Sequence, residues 1–377
     1  MNIGFDAKRL FNNFTGLGNY SRTLISNLVK YFPDNNYTLY TTGIRKNKET
    51  DIFLNNNKLN VFVTKKRNKG YWRSFSILKQ LKKDNIELYH GLSHEIPFGI
   101  LRKGIKSVVT VHDLIFKIYP KTYSFIDRQI YNYKFRYSCK FADKIIAISE
   151  STKWDIINLF NIEPHKIEVI YQSCNTVFKK CKSEDEINTI LKEYEIPDKF
   201  LLYVGSVIER KNLITIIESY IFLPKELQIP MVIIGKGKHY KNRLKKRAEK
   251  LKIAEKIIWI ENMDNNDHLQ AFYQKASIFI YPSVYEGFGI PIIEAILCKT
   301  PVITSNTSSL PEAGGPASWY IDPLNAKQMA SGIKKILTDK NFRKQMIDES
   351  YEYVLNTFNE EKITGKLHTL YEKTLKA

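Results

Sequence analysis

Short, nearly continuous apolar runs recur along this chain, and the stretches between them carry the three-to-four-residue spacing of amphipathic helices. Runs at 2–5, 37–42, 59–63, 86–90, 107–112, 144–149 and 168–171 predict strands. Helical spacing lies between several of them, at 20–31, 72–84 and 122–141, the first with Leu24, Leu28 and Tyr31 on one face. A second series follows, with strands at 200–204, 231–235, 256–260, 276–281 and 301–304. Its helices are predicted at 213–222, 238–251, 267–276, 290–298, 325–339 and 341–356, with a last one at 359–375. Asn212 reads as the N-cap of the first of these and Asp267 as the cap of the third. Strands alternating with helices predict an α/β fold with two parallel, doubly wound sheets. Between the two series, 173–199 is polar and holds Pro197, so the linker is placed at its beginning. The expected domains are therefore 1–173 and 174–358, with the final helix, about 359–377, packing back on the first.

Ligands of such sheets sit beyond the carboxyl ends of the strands. The richest of these ends runs from Pro282 to Glu294. Gly287 and Gly289 precede a helix whose first turn takes Pro291, where a missing N–H costs nothing. The glycines let backbone N–H groups approach an anion at the positive end of a helix dipole. Glu286 and Glu294 bracket the stretch with seven residues between them. A plain strand-to-helix turn with two solvated carboxylates would read the same way. A second candidate is Gly205-Ser206 followed by Arg210-Lys211, again between a strand and a helix. Two cations there suit a diphosphate, although a solvated basic pair is the simpler alternative. In the first series the candidates are the Gly16/Gly18 loop, the segment His90 to Glu95, and His112-Asp113. The glycine pair falls short of the full G-x-G-x-x-G pattern, and loop flexibility alone would explain it. His112 could face a substrate hydroxyl or be a structural ring bonded to Asp113 or to backbone. The aromatic and basic stretch around Tyr123, Phe125, Tyr131, Tyr133 and Phe135 suits base stacking or a membrane interface, but most of it is expected to pack on the core.

Composition narrows this picture. The 377 residues suit two domains of ordinary size, and 43% hydrophobic residues suffice for their cores. No run of 18 apolar residues predicts a membrane span, and the start of the chain predicts no secretory leader. Cys139, Cys174, Cys181 and Cys298 are scattered, without metal-ligand spacing, and suit free thiols in a reducing compartment. The net charge of +19 is uneven: residues 1–173 carry 28 Lys and Arg against 14 Asp and Glu, the rest 30 against 25. A basic first half suits an anionic partner, or solubility alone.

Taken in register, these segments resemble the family 4 retaining glycosyltransferases of two-domain GT-B architecture. The carrying residues are Thr15-Gly16-Leu17-Gly18-Asn19-Tyr20, Val111-His112-Asp113-Leu114, Ala142-Asp143 with Ile148-Ser149-Glu150, Gly205-Ser206 with Arg210-Lys211-Asn212, the Glu286–Glu294 pair, and Ser308-Ser309-Leu310-Pro311-Glu312. The resemblance covers nearly the whole chain and implies two Rossmann-like domains facing across a cleft. It implies that Arg210 and Lys211 neutralise the donor diphosphate, with Gly205 beside them. Glu286 would bond donor-sugar hydroxyls, near the amides of Gly287, Phe288 and Gly289, and Glu294 would take the ribose hydroxyls. Gly16 and Gly18 would approach the phosphates from the other domain, and His112 would sit by the transferred sugar. His112, Arg210, Lys211 and Glu286 are thus the expected catalytic set.

The same resemblance implies front-face transfer of a hexose from a nucleotide-diphosphate sugar, with no metal and no other cofactor. The acceptor is expected to be a glycan or a lipid-diphosphate-linked glycan. The segment His90 to Pro97 resembles the mannosyltransferase-like branch of bacterial surface polysaccharide synthesis, including lipopolysaccharide. Mannose from GDP-mannose is therefore favoured, with a UDP-sugar as the other donor. A cytoplasmic protein, peripheral on the inner face of the plasma membrane, follows from an anionic membrane surface meeting the basic first domain. Asn262 and Pro316 depart from the family pattern and bear on base and loop details. Two other readings compete: a sugar phosphorylase or glycoside-cleaving enzyme on the same fold, and a basic nucleic-acid-binding protein. No RNA-binding module pattern supports the last, and no nucleic-acid partner is expected.

Overall fold

The apolar runs form strands, and each strand pairs in parallel with its neighbours. The structure is a computed structural model describing residues 1–263 and 265–377. Its contacts divide the chain into two units, Met1–Ser173 with Phe358–Ala377, and Cys174–Thr357.

The first unit holds β1 (Asn2–Asp6), β2 (Asn36–Thr41), β3 (Leu59–Val63), β4 (Leu88–Gly91), β5 (Lys106–Val111), β6 (Lys144–Ala147) and β7 (Ile167–Val169). Their order is β3-β2-β1-β4-β5-β6-β7. The order therefore reverses between β1 and β4, which is where loops part and leave room for a ligand. The helix Gly16–Tyr31 follows β1, packing Tyr20, Ile25 and Leu28 on the core. The last helix, Glu360–Lys376, buries Leu367, Leu370 and Tyr371 in the same unit.

The second unit holds β8 (Leu201–Val204), β9 (Met231–Ile234), β10 (Ile257–Ile260), β11 (Ile278–Tyr281), β12 (Val302–Ser305) and β13 (Trp319–Ile321), ordered β10-β9-β8-β11-β12-β13. Its reversal lies between β8 and β11. These two strands pair only at Ile278 with Leu201 and Phe279 with Leu202, then diverge. Tyr203 and Tyr281 fill the widening gap, their rings stacked with centroids 5.9 Å apart.

Several details differ from expectation. The strand Trp319–Ile321 and the helix Glu150–Phe160 were not predicted from the pattern. The expected helix at 72–84 opens with a π-helical turn, Trp72–Ser76, before α-helix resumes at Ile77. The cap of the helix Asn266–Lys275 is Asn265, whose carboxamide accepts from the Asp267 amide, so Asp267 lies inside the first turn. Asn212 precedes its helix in a left-handed conformation (φ 57°) and makes no side-chain cap bond. The aromatic stretch also divides: Phe135 is buried, but Phe125 and Tyr133 are exposed.

Candidate functional site

In the second unit the loops after β8, β11 and β12 are tied into one wall. The Val284 amide donates to the Arg210 carbonyl at 2.9 Å, joining the first two loops. Asn212 does the same with its side chain, donating to the carbonyls of Pro282 (3.2 Å) and Pro323 (2.6 Å). The left-handed backbone at Asn212 turns its carboxamide inward, where it is buried. The β12 loop straps the second: Ser308 accepts from the Glu286 amide at 3.0 Å, and Ser309 donates to the carbonyls of Glu286 (2.9 Å) and Phe288 (2.7 Å). Neither Asn212 nor the serine strap was read as part of the site from sequence. The Ser308-Ser309 segment carried only a resemblance, without a role.

This wall brings Arg210, Lys211 and Glu286 together. Glu286 Oε1 lies 2.8 Å from Arg210 Nη1 and 2.5 Å from Lys211 Nζ. Lys211 also donates to the Tyr281 hydroxyl at 2.5 Å, and Arg210 donates to the Tyr285 carbonyl. Lys211 and Glu286 are each only 8% exposed. Burial pushes the Glu286 carboxyl up, but Lys211 and Arg210 outweigh it and hold the group below the usual carboxylate range. Two cations thus share one carboxylate in a buried setting. The cluster carries one surplus positive charge, which favours an incoming anion.

The glycines around it are constrained by backbone. Gly205 (φ +147°) donates its amide to Ile234 at 2.9 Å. Gly235 stands at the end of β9 with φ +156°, and a Cβ there would meet the Gly205 carbonyl oxygen at 1.8 Å. The Gly235 loop is therefore pressed onto the Gly205 loop, a dependence the sequence did not reveal. Replacing Gly235 with Ala should cost about 1–3 kcal/mol of the second unit's stability, the usual range for overpacking. Chemical denaturation followed by hydrogen exchange in β8 and β9 would measure it, and an unchanged profile would refute the close approach. Gly289 and Gly287 are buried, and a Cβ on Gly289 would meet that of Ala313 at 2.9 Å. Gly289 leads directly into the helix Ile290–Leu297, and Phe288 is buried beside it.

Glu294 lies within that helix and has a different environment. The Tyr273 hydroxyl donates to its Oε2 at 2.8 Å. Burial pushes its carboxyl up to about 7, and the Tyr273 bond offsets only part of that. Glu286 and Glu294 therefore differ in charge state near neutrality, although the sequence presented them as a matched pair.

In the first unit, His112 directly follows β5 and is buried. Its Nε2 lies 2.9 Å from the Leu92 carbonyl, so this nitrogen carries the hydrogen. Its Nδ1 faces the Gln172 carboxamide nitrogen at 3.4 Å. Burial is the main cause that lowers the ring to about 4, which leaves His112 neutral near pH 7. The ring's backbone bond is therefore to Leu92, on the preceding loop. Gly18 is held within its own loop: its amide donates to Thr15 O (3.0 Å) and Asn13 Oδ1 (3.1 Å). A Cβ on Gly18 would lie 1.7 Å from the Asn13 carbonyl oxygen, whereas one on Gly16 would meet nothing within 4 Å.

Known proteins place the family and the fold. Residues 14–177 match the family model described as Glycosyltransferase Family 4, and residues 186–353 match Glycosyl transferases group 1. This chain belongs to the family 4 glycosyltransferases. It is 30% identical to the O-antigen chain mannosyltransferase B of Escherichia coli over 260 residues, 68% of this chain and 66% of that protein. It is 29% identical to the O-antigen chain mannosyltransferase RfbU of Salmonella typhimurium, over 71% of this chain and 69% of that one. The match to the Escherichia coli mannosyltransferase WbdA spans only 33% of that longer protein. Among solved structures, a glycosyltransferase from Rickettsia africae superimposes with a TM-score of 0.79 at 18% identity, covering 100% of this chain and 98% of that one. WaaG, a glycosyltransferase of lipopolysaccharide biosynthesis, gives 0.70 at 16% identity, covering 97% and 98%. These likenesses carry the fold, and it is the GT-B architecture expected from sequence.

Proposed function

We propose that this glycosyltransferase moves a hexose, favoured as mannose, from a nucleotide-diphosphate sugar to a glycan or lipid-diphosphate-linked glycan, with retention and without a metal. The observation that carries this reading is the Arg210–Lys211–Glu286 cluster, a buried site with one positive charge in surplus. The donor diphosphate would complete it. The bond from the sugar C1 to the phosphate oxygen breaks, and its electron pair leaves on the nucleotide. The acceptor hydroxyl oxygen bonds to C1 on the same face and gives its proton to the departing phosphate oxygen. Arg210 and Lys211 stabilise the charge that grows on that phosphate, so metal chemistry has no necessary task. Glu286 reads the sugar hydroxyls and Glu294 the ribose hydroxyls. Mannose as the sugar and a surface polysaccharide as the product are favoured because two matched relatives are named O-antigen chain mannosyltransferases, and GDP is the carrier favoured with mannose. The site of action is the inner face of the plasma membrane.

A thermal-shift panel of GDP-, UDP- and ADP-sugars tests the reading, since a ligand of the folded state raises the melting point. One sugar nucleotide should raise it above the others, and Arg210→Ala should lose the shift. A panel without any shift would sink the proposal.

Glu294 gives a second test. Ribose hydroxyls donate to an ionised carboxylate, and this one titrates at about 7 in the folded protein. Donor affinity should therefore rise about tenfold per pH unit below that value and level off above it, as for any single coupled proton. The diphosphate diester keeps its charge over this range and adds no slope. For stability the sign is opposite. Above the ordinary carboxyl value the unfolded chain has lost a proton that folded Glu294 still holds. The Glu294 contribution therefore falls as pH rises towards about 7 and is constant beyond. Glu294→Gln should flatten both profiles, and calorimetry showing an unchanged slope in that variant would remove the ribose role.

A further inference from the structure

The helix Phe125–Phe141 buries one face and leaves an apolar stripe on the other. Phe135, Ser138 and Cys139 face the core. Ile126, Ile130 and Tyr133, spaced four and three residues apart, are 70%, 45% and 66% exposed. The apolar surface continues beyond this helix as a row of rings. Tyr133 lies 5.7 Å from Phe98, Phe98 5.0 Å from Phe75, and Phe75 5.1 Å from Tyr71, centroid to centroid. Tyr71 and Phe75 are themselves exposed.

The charge bordering this row is mostly positive. Lys65, Lys66, Arg67 and Lys69 precede Tyr71, all exposed, and residues 59–83 contain no Asp or Glu. Arg136 and Lys140 stand exposed on the helix beside the stripe, Lys121 is exposed in the turn before it, and Asp127 is the only acid between 121 and 141. A single exposed apolar residue needs no explanation, but a contiguous row bordered by cations is the composition of an interfacial surface.

We propose that this face of the first unit, the Ile126–Ile130–Tyr133 stripe with the basic segment before Tyr71, docks on an anionic lipid bilayer. The cations meet the headgroup phosphates, and the isoleucines and aromatic edges enter the boundary with the acyl chains. A nucleic acid would also meet the cations, but it offers nothing to aliphatic Ile126 and Ile130. The rings of the row already stack on one another, which takes up faces that bases would need. The inference deepens the reading of a membrane-side acceptor and rests on it for its biological sense.

Sedimentation of the full chain with vesicles tests it. Vesicles of phosphatidylcholine alone should retain little protein, and vesicles that include phosphatidylglycerol should retain most of it, less as salt rises. Ile126→Ser with Ile130→Ser should lower the partition coefficient at least about tenfold, given the loss of several buried methylene groups. Lys65→Ser with Lys66→Ser should lower it about fivefold per residue, in a salt-dependent way. All four side chains are exposed and lie outside the donor site, so melting points should stay near that of the parent protein. Equal sedimentation with both vesicles, unaltered partition in either double variant, or self-association in place of vesicle binding overturns the proposal. Donor binding measured by calorimetry on the same samples keeps this outcome separate from the glycosyltransfer reading.

Discussion

Lys211→Ala should lower turnover by roughly two to four powers of ten, the range expected when one preorganised charge is removed from a developing oxyanion. The structure adds a reason why no neighbour can substitute. Lys211 is buried, with its ammonium held between Glu286 and Tyr281 and 4.7 Å above the Tyr281 ring. A water in its place would bring no charge, and Arg210, already assigned to the same diphosphate, adds no second charge to replace it. Folding should suffer less than turnover. Deleting one partner of an isolated buried ion pair costs about 3–5 kcal/mol, but here Arg210 still compensates Glu286. Steady-state rates beside a melting curve separate the two effects. Lys211→Arg preserves charge but brings a planar fork into a space shaped for a compact ammonium, so it should recover only part of the rate. Near-normal turnover in Lys211→Ala would remove the role assigned to this residue.

Much of the frame behind that expectation was readable from residues alone. Strands of a parallel sheet are covered on both faces, so they appear as continuous apolar runs such as 107–112 and 276–281. Trp319–Ile321 escaped because three residues do not make a periodicity, and it lies at a sheet edge. The helix Glu150–Phe160 begins with Ser149 accepting from the Thr152 amide, a cap without the Glu or Gln that would complete the usual sequence signature. The site itself was legible in its parts and hidden in its joints. Arg210 and Glu286 are 76 positions apart, and nothing local announces that the carboxylate folds onto both cations. Asn212 looked like a cap because Asn before a helix usually is one. Its carboxamide instead spans two loop carbonyls, a tertiary bond that no local rule anticipates. His112 was recognisable as the end of a strand, but its charge state depends on burial and on the Leu92 carbonyl.

Glu286→Gln should separate the two tasks that this carboxylate combines. In the unliganded protein it neutralises part of the Arg210–Lys211 charge, and in the proposed donor complex it reads sugar hydroxyls. The amide keeps the shape and removes the charge, leaving two buried cations around a neutral group. The melting point should fall in the absence of ligand. A nucleoside diphosphate should then raise it more in the variant than in the parent, because the anion relieves a larger positive charge. Affinity for the nucleoside diphosphate alone should hold or increase, since no carboxylate competes for the cations. Affinity for the sugar nucleotide should gain less, because hydroxyl contacts are lost, and turnover should fall about a hundred- to a thousandfold, as for loss of a group that positions the reacting centre. Calorimetry with both ligands, set beside the rates, distinguishes the possibilities. Parallel loss of affinity for both ligands would make Glu286 a structural bracket for the diphosphate site, and normal turnover would deny it any part in sugar transfer.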